Sequence, residues 1–417
     1  MTGLDEVCAR VREASRELGR LPTHRKDEVL REMADALERR AGEILRESRQ
    51  DVDAAKRSRA GAAAIDRLLL DEDRVAEMAA GVRAVAGLPD PVGETEGGRR
   101  LVNGLRIERR RVPLGVVAVV YEGRPNVTVD AAALCAKSGN AVILRGGRAA
   151  YRTNRILAEV LTGALLEAGA PRWSLALLGP DRDELRRLVA MEGGADLVVA
   201  RGGPGLRAFL AEHSRVPVIT ASTGTNHVYV HADADPEMAL RIAVSSAGQR
   251  PGACNAARAL LVHRDAAPAV LPAAAERLGA AGVVLRVDRA ALDALGAAGE
   301  GLAEATEADY GAEFADLALA VRVVDSLDRA LDHIARHGSG HSEAIVTSSL
   351  DAARRFQEGV DAAAVYVNAS LRFTDGGQFG MGAEIGISTQ KVHARGPIGL
   401  RELTTHTYLV TGDGHVR

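Results

Sequence analysis

Aromatic residues are scarce in this chain, at 3% of 417 positions with a single tryptophan. Its interior must therefore be built from Val, Leu, Ile and Ala. Cysteine is scarcer still. Cys8, Cys135 and Cys254 are widely spaced and odd in number, which argues against a disulfide framework, and no Cys/His spacing of a zinc site occurs, so no metal is expected. Excess charge of either sign is missing too: 53 Lys and Arg against 56 Asp and Glu leave a net charge of −3, so no nucleic-acid partner is implied. No window of about 20 apolar residues exists to span a membrane. The start, Met1 to Glu6, has neither the basic nor the apolar region of a signal peptide. What is present, 47% hydrophobic and 26% charged residues, is the composition of a globular protein. The length calls for two or three domains, and a cytoplasmic enzyme is the expectation.

Periodicity changes along the chain. Residues 4–88 carry apolar positions at three- and four-residue spacing, as in Val29, Leu30, Met33, Ala34 and Leu37, which predicts helices. Pro89-Asp90-Pro91-Val92-Gly93 closes that region. Gly104 to Pro113 is basic and partly alternating, fitting an exposed strand whose three arginines, Arg109 to Arg111, form a solvated face or a subunit contact. From Gly115 the pattern is α/β. Val116 to Tyr121 is a continuous apolar run, as in a parallel strand buried on both faces. Short strands near 141–144, 174–178, 196–200 and 216–219 alternate with helices near 127–138, 149–169 and 181–192. A second series has strands near 227–230, 259–263, 283–286, 318–323, 343–347 and 364–368. The predicted fold is two doubly wound α/β units, divided at the small and polar run Thr220 to Asn226.

Several loops carry candidate chemistry. Cys254 lies in Gly248-Gln249-Arg250-Pro251-Gly252-Ala253-Cys254-Asn255, between a helix and a strand. Small neighbours let a substrate approach a thiol, and Arg250 is a nearby cation that favours the thiolate; the same cysteine also fits a buried apolar position. Glu122 to Thr128 joins a strand end to a helix start, where Asn126 is open to two uses, capping the helix or pointing its amide at a developing oxyanion. Arg145-Gly146-Gly147-Arg148 follows a strand where a cation can meet a ribose phosphate. Arg201-Gly202-Gly203 follows another, before a helix start that can face a pyrophosphate. Both also fit plain surface loops. The long Gly/polar run from Tyr366 to Pro397 is unusual in a compact domain unless it forms a site; Arg372, Lys391 and Arg395 in it, with Arg124 and Arg250, are the candidates for gripping an anionic substrate.

Five segments in order, Arg111 to Val117, Arg124 to Thr128, Gly139 to Gly147, Gln249 to Asn255 and Ala364 to Gly399, resemble the γ-glutamyl phosphate reductases of the aldehyde dehydrogenase superfamily. The resemblance runs through nearly the whole chain. It implies an aldehyde dehydrogenase-like α/β fold, with an NADP(H)-binding domain over 1–97 and 113–225, a catalytic domain over 226–392, and an oligomerisation element over 98–112 and 393–417. It also implies NADPH-dependent reduction of L-glutamyl 5-phosphate to the 5-semialdehyde and phosphate in proline biosynthesis, a homo-oligomer (dimer or tetramer), and a possible glutamate kinase partner. Cys254 takes the nucleophile's place, Asn126 that of the oxyanion donor, Glu313 that of the glutamate at the nicotinamide ribose, and Arg145 that of a lysine near the adenosine ribose. Thr220 falls where hydrolytic relatives carry a glutamate base, which favours reduction or phosphorolysis over hydrolysis.

The chain departs from the family's pattern near these residues. Ala247 replaces a lysine, Asn226 a cysteine before His227, and Gly123 an alanine or serine. A paralogue acting on a modified glutamyl phosphate or another acyl phosphate is therefore a second expectation. A hydrolytic aldehyde dehydrogenase, or a scaffold retaining the fold, would keep the architecture and lose the phosphate chemistry.

Overall fold

The computed structural model describes residues 3–221, 224–249, 252–314 and 316–417, which form two compact units. The first comprises Met1–Ala221, Gly380–Gly386 and Pro397–Arg417; the second comprises Ser222–Phe379 and Ile387–Gly396.

In the first unit the predicted helical region forms five helices, Leu4–Leu18, Thr23–Arg39, Ala41–Arg57, Ala62–Leu68 and Glu72–Ala86. The apolar stripe read from the sequence is the buried one: Val29, Leu30, Met33, Ala34 and Leu37 are almost entirely enclosed. Beside them lies a five-stranded sheet, in the order Leu175–Leu177, Ala141–Arg145, Val116–Tyr121, Leu197–Arg201 and Val218–Thr220. All its neighbours are parallel. Every residue of Val116–Tyr121 and of Ala141–Arg145 is buried, because helices cover both faces of such a sheet.

The basic segment departs from its expectation. Arg106–Pro113 pairs antiparallel with Thr95–Arg100 on one side and with Thr404–Thr411 on the other; neither of these partner strands was anticipated from local pattern. Only part of the arginine run faces water. Arg111 is 9% exposed. It binds the Glu96 carboxylate and donates to Thr404 Oγ1 at 2.8 Å. Glu96 also takes Arg109, Arg401 and His406, so the expected solvated face is largely an ion-pair network. This holds the Glu96 carboxyl well below its usual range, at about 2.

The second unit is a seven-stranded parallel sheet. Its order is Ala303–Glu304, Val284–Val287, Ala318–Val324, Ala257–His263, Asn226–Val230, Ser342–Val346 and Ala364–Val367. Helices Pro236–Ala247 and Ala267–Ala280 pack on one face through Leu240, Ala243, Val270 and Leu271 against Val228, Leu260 and Val262. Leu327–His337 and Leu350–Gly359 supply Ala330, Ile334 and Phe356 to a cluster with Tyr229, Leu261 and Ile345. The aromatic-poor composition shows here, since one of the largest cores in the molecule is mostly Val, Leu and Ala.

Candidate functional site

Two of the three cysteines are eliminated by burial. Cys8 is 4% and Cys135 0% exposed, and desolvation pushes both thiols up, away from the reactive thiolate. Cys254 alone is half-buried, in the turn between Pro236–Ala247 and the central strand Ala257–His263.

The backbone around Cys254 is pinned. Asn226, fully buried at the start of the adjacent strand, donates Nδ2 to the carbonyl oxygens of Cys254 at 2.7 Å and of Ala256 at 2.8 Å. Its own Oδ1 accepts from the Ser342 N–H at 3.3 Å. Gly224 passes so close that a Cβ there would overlap the Cys254 carbonyl oxygen. Asn255 Nδ2 donates to the carbonyls of Arg372 and Thr374, at 3.2 and 2.9 Å. Sequence reading gave Asn226 only as a departure from a pattern. The structure makes it the clamp on the Cys254 main chain.

A second residue missed in the sequence is Arg258. It sits on the strand that follows the thiol, 2% exposed, and donates Nη2 to the Ala253 carbonyl at 3.2 Å. Burial pushes its guanidinium below its ordinary value, opposed by the negative charges of Glu313 and Cys254. A buried cation beside a thiol favours the thiolate. Its signal was hidden because a lone arginine in an apolar strand reads as a strand-edge residue until the fold shows the strand to be central.

The other second-unit candidates divide. Glu313 is exposed in the loop after the short helix Glu307–Tyr310. Arg372 is half-buried in the turn Leu371–Phe373. Lys391 and Arg395 both bind the exposed Asp361 carboxylate, so their charge is shared with a surface acid. Arg250 lies outside the described residues.

In the first unit, Asn126 opens the helix Asn126–Lys137 but does not cap it. The cap position is Pro125, without a side-chain bond, and Asn126 Nδ2 donates to Asp130 Oδ2, one turn on, at 3.0 Å. An amide nitrogen has two hydrogens, so one remains to donate elsewhere. Arg124 is half-buried in the preceding loop.

Arg145 ends its strand with Nη2 on the Pro180 carbonyl at 2.8 Å, and its buried Nε has no partner among the described residues. Burial and the neighbouring Arg182 and Arg148 charges lower its pKa, the setting of a cation awaiting an anion. At Gly146 a Cβ would overlap the Asn154 side chain, and at Gly202 it would stand 2.7 Å from Leu206 Cδ2 and 2.9 Å from Glu122 Cδ. Gly147 and Gly203 have no such crowding. Gly203 donates its N–H to Glu122 Oε2 at 3.2 Å, and Arg201 donates to the Ile385 carbonyl at 3.1 Å. Bare backbone and an under-satisfied arginine at the carboxyl ends of parallel strands fit a dinucleotide bearing a 2′-phosphate.

The profile of the aldehyde dehydrogenase family matches residues 2–291. The γ-glutamyl phosphate reductase of Anaeromyxobacter sp. (strain K) is 53% identical over 100% of this chain and 98% of its own length. That of Roseiflexus castenholzii is 49% identical over the full length of both. The crystal structure of γ-glutamyl phosphate reductase from Thermotoga maritima superposes with a TM-score of 0.94 at 41% identity, covering both chains completely. The chain belongs to the γ-glutamyl phosphate reductase family of aldehyde dehydrogenases. Membership accounts for the aldehyde dehydrogenase-like fold and for an oxidoreductase of the proline pathway. Among the described residues no helix is long and apolar enough to cross a membrane.

Proposed function

We propose that this chain reduces L-glutamyl 5-phosphate to L-glutamate 5-semialdehyde with NADPH, and that Cys254 carries the acyl group. The observation that supports it most is the half-buried thiol with its main chain clamped by Asn226 and a buried guanidinium beside it. The Cys254 thiolate attacks the acyl carbon, the carbon–oxygen bond to phosphate breaks, and phosphate leaves with the electron pair. A thioester remains on Sγ. NADPH, when bound, supplies the hydride that converts the thioester carbon to a thiohemiacetal. Its oxyanion takes a proton, or collapses directly with cleavage of the carbon–sulfur bond, releasing the aldehyde and restoring the thiolate.

Arg258 holds the negative sulfur. The Asn126 amide meets the oxyanion in both tetrahedral species, a donor role worth about 10²–10³ in rate. Arg145, with Gly146, Gly147 and the loop Arg201 to Gly203, holds NADPH, and Glu313 meets its nicotinamide ribose. Arg124 and Arg372 remain candidates for the phosphate. A threonine at position 220, where a base would activate water, keeps the thioester from hydrolysis.

The rest of the reading concerns assembly. The arm strand Thr404–Thr411 is a sheet edge carrying exposed Tyr408 and Val410, and such an edge is available for pairing with a second copy. An acyl phosphate hydrolyses readily in water, so direct transfer from a kinase partner in the cytoplasm belongs to the same reading.

The test is the reverse reaction, with glutamate semialdehyde, NADP and phosphate, followed by NADPH absorbance. Turnover that requires both phosphate and Cys254 is expected. Phosphate-independent turnover would replace this reading with a hydrolytic dehydrogenase.

A further inference from the structure

The Cys254 loop is closed into a ring by four other residues of the second unit. From the Cys254 carbonyl oxygen the path runs to Asn226 Nδ2 at 2.7 Å, and from Asn226 Oδ1 to the Ser342 N–H at 3.3 Å. Ser342 Oγ meets Thr374 Oγ1 at 2.7 Å. The Thr374 carbonyl accepts from Asn255 Nδ2 at 2.9 Å, and Asn255 is the peptide neighbour of Cys254. The partners of these four bonds stand 28, 116, 32 and 119 positions apart in the chain, so the ring is a product of the tertiary fold and of no local element.

Burial gives the ring its strength. Asn226, Ser342 and Thr374 are fully enclosed and Asn255 is 5% exposed, so water does not replace a bond that is lost. Donors and acceptors are also matched. Asn255 has two amide hydrogens, and the second goes to the Arg372 carbonyl at 3.2 Å, which ties the segment carrying a candidate phosphate cation into the same frame. A hydroxyl offers one hydrogen and two lone pairs. Ser342 Oγ has a second neighbour in His341 Nδ1, and Thr374 Oγ1 has one in the Tyr366 hydroxyl, each at 2.7 Å, so both hydroxyls are satisfied. Ser342 and Thr374 each enter the ring by one main-chain and one side-chain group. Their hydroxyl–hydroxyl bond is therefore the link that closes it.

We propose that Thr374 is a positioning residue for Cys254, a role that rests on the reductase reading in taking Cys254 as the nucleophile. Its bond to Ser342 joins the Asn226 clamp to Asn255, and the closed ring, more than any single bond in it, holds the thiol loop against the Arg372 segment.

The test is a double-mutant cycle between Thr374→Val and Asn226→Ala. Valine matches threonine in shape and lacks the hydroxyl. In the reverse reaction Thr374→Val should lower kcat roughly tenfold, the equivalent of one hydrogen bond, with KM for NADP unmoved, and Thr374→Ser should restore most of the loss. Either substitution of the cycle opens the same ring, so the double variant should stay within about threefold of Asn226→Ala alone. Tyr366→Phe removes a bond to the same oxygen outside the ring and should leave kcat within about twofold. If Thr374→Val does not fold, Ser342→Ala breaks the same link from the other side and takes its place. Losses that multiply in the double variant, or a loss in Tyr366→Phe as large as in Thr374→Val, would overturn the ring. The cycle is also read without turnover, as the maximal rate at which iodoacetamide alkylates Cys254, the other two thiols being buried. That rate should rise about tenfold in each single variant and no further in the double. Without phosphate-dependent turnover in the unaltered protein the reductase reading fails by itself; alkylation rates that multiply in the double variant defeat the ring.

Discussion

The two parallel sheets are built alike, with strands buried on both faces, and they differ in how their strand-end loops are held. In the first unit the loops after the strands ending at Tyr121, Arg145 and Arg201 contain glycines, and Arg145 keeps a buried Nε with no partner among the described residues. In the second, the loop before Ala257–His263 is tied down at Cys254 and Ala256 by one buried amide. One arrangement leaves room for a ligand to complete the contacts. The other spends its contacts in advance, so that the Cys254 main chain is held in place. Loop chemistry, not sheet architecture, is what separates the two units.

The sharpest way to break this contrast is at the thiols. Cys254→Ala should lower turnover by about 10⁴-fold or more, as loss of a covalent nucleophile does, while Cys8→Ala, in the first unit, leaves turnover near that of the unaltered protein. Comparable losses in both would end the assignment of chemistry to the second unit. Next in size is Asn126→Ala. The first unit contributes an amide to the reaction under this reading, so kcat should fall about 10²–10³-fold with little change in KM; a loss seen only in thermal stability would return Asn126 to the role of a helix-start residue.

Pinning itself is tested by Asn226→Ala. It strands two buried carbonyls, at a cost of about 1–3 kcal/mol in stability. Displacement of the thiol by about 1 Å should take on the order of 10²-fold from kcat. Denaturant unfolding and steady-state kinetics read the two effects separately, and a stability loss without a kinetic one would make Asn226 purely structural. The charge beside the thiol is smaller and measurable without turnover. Because Cys8 and Cys135 are buried, iodoacetamide reports on Cys254, and Arg258→Met should move the pH midpoint of alkylation up by about one unit, with Arg258→Lys restoring most of it. A changed maximal rate at an unmoved midpoint would show that Arg258 shapes the loop without stabilising the thiolate.

The smallest effect concerns stability against pH. Burial holds the His341 imidazole neutral down to about 4, against an ordinary 6.5. The folded pKa lies below the unfolded one, so across that window the unfolded chain binds more protons and stability falls as pH falls. His341→Asn should flatten the decline of melting temperature between about pH 6.5 and about pH 4. An identical decline in the variant would assign acid sensitivity elsewhere in the second unit.

The helical stripe, the alternation of short strands with helices, and the loop holding Cys254 were all legible in the sequence. Each is set by local physics: periodicity follows from the geometry of helix and strand, and small residues around a thiol are contiguous in the chain. Sequence also placed Asn126, Arg145 and the glycines of 146–147 and 202–203 at strand ends, because strand ends can be counted. It could not give partners that depend on which strands become neighbours. The arm strand Thr404–Thr411, the Glu96 network that takes Arg111 out of water, the Asn226 clamp 28 residues from Cys254 and the burial of Arg258 all arise from pairing between distant segments. So does the fate of Lys391 and Arg395, whose charges go to Asp361. Local pattern fixes which face of an element is apolar; only the assembled sheets decide which polar groups are deprived of water, and therefore which must find each other.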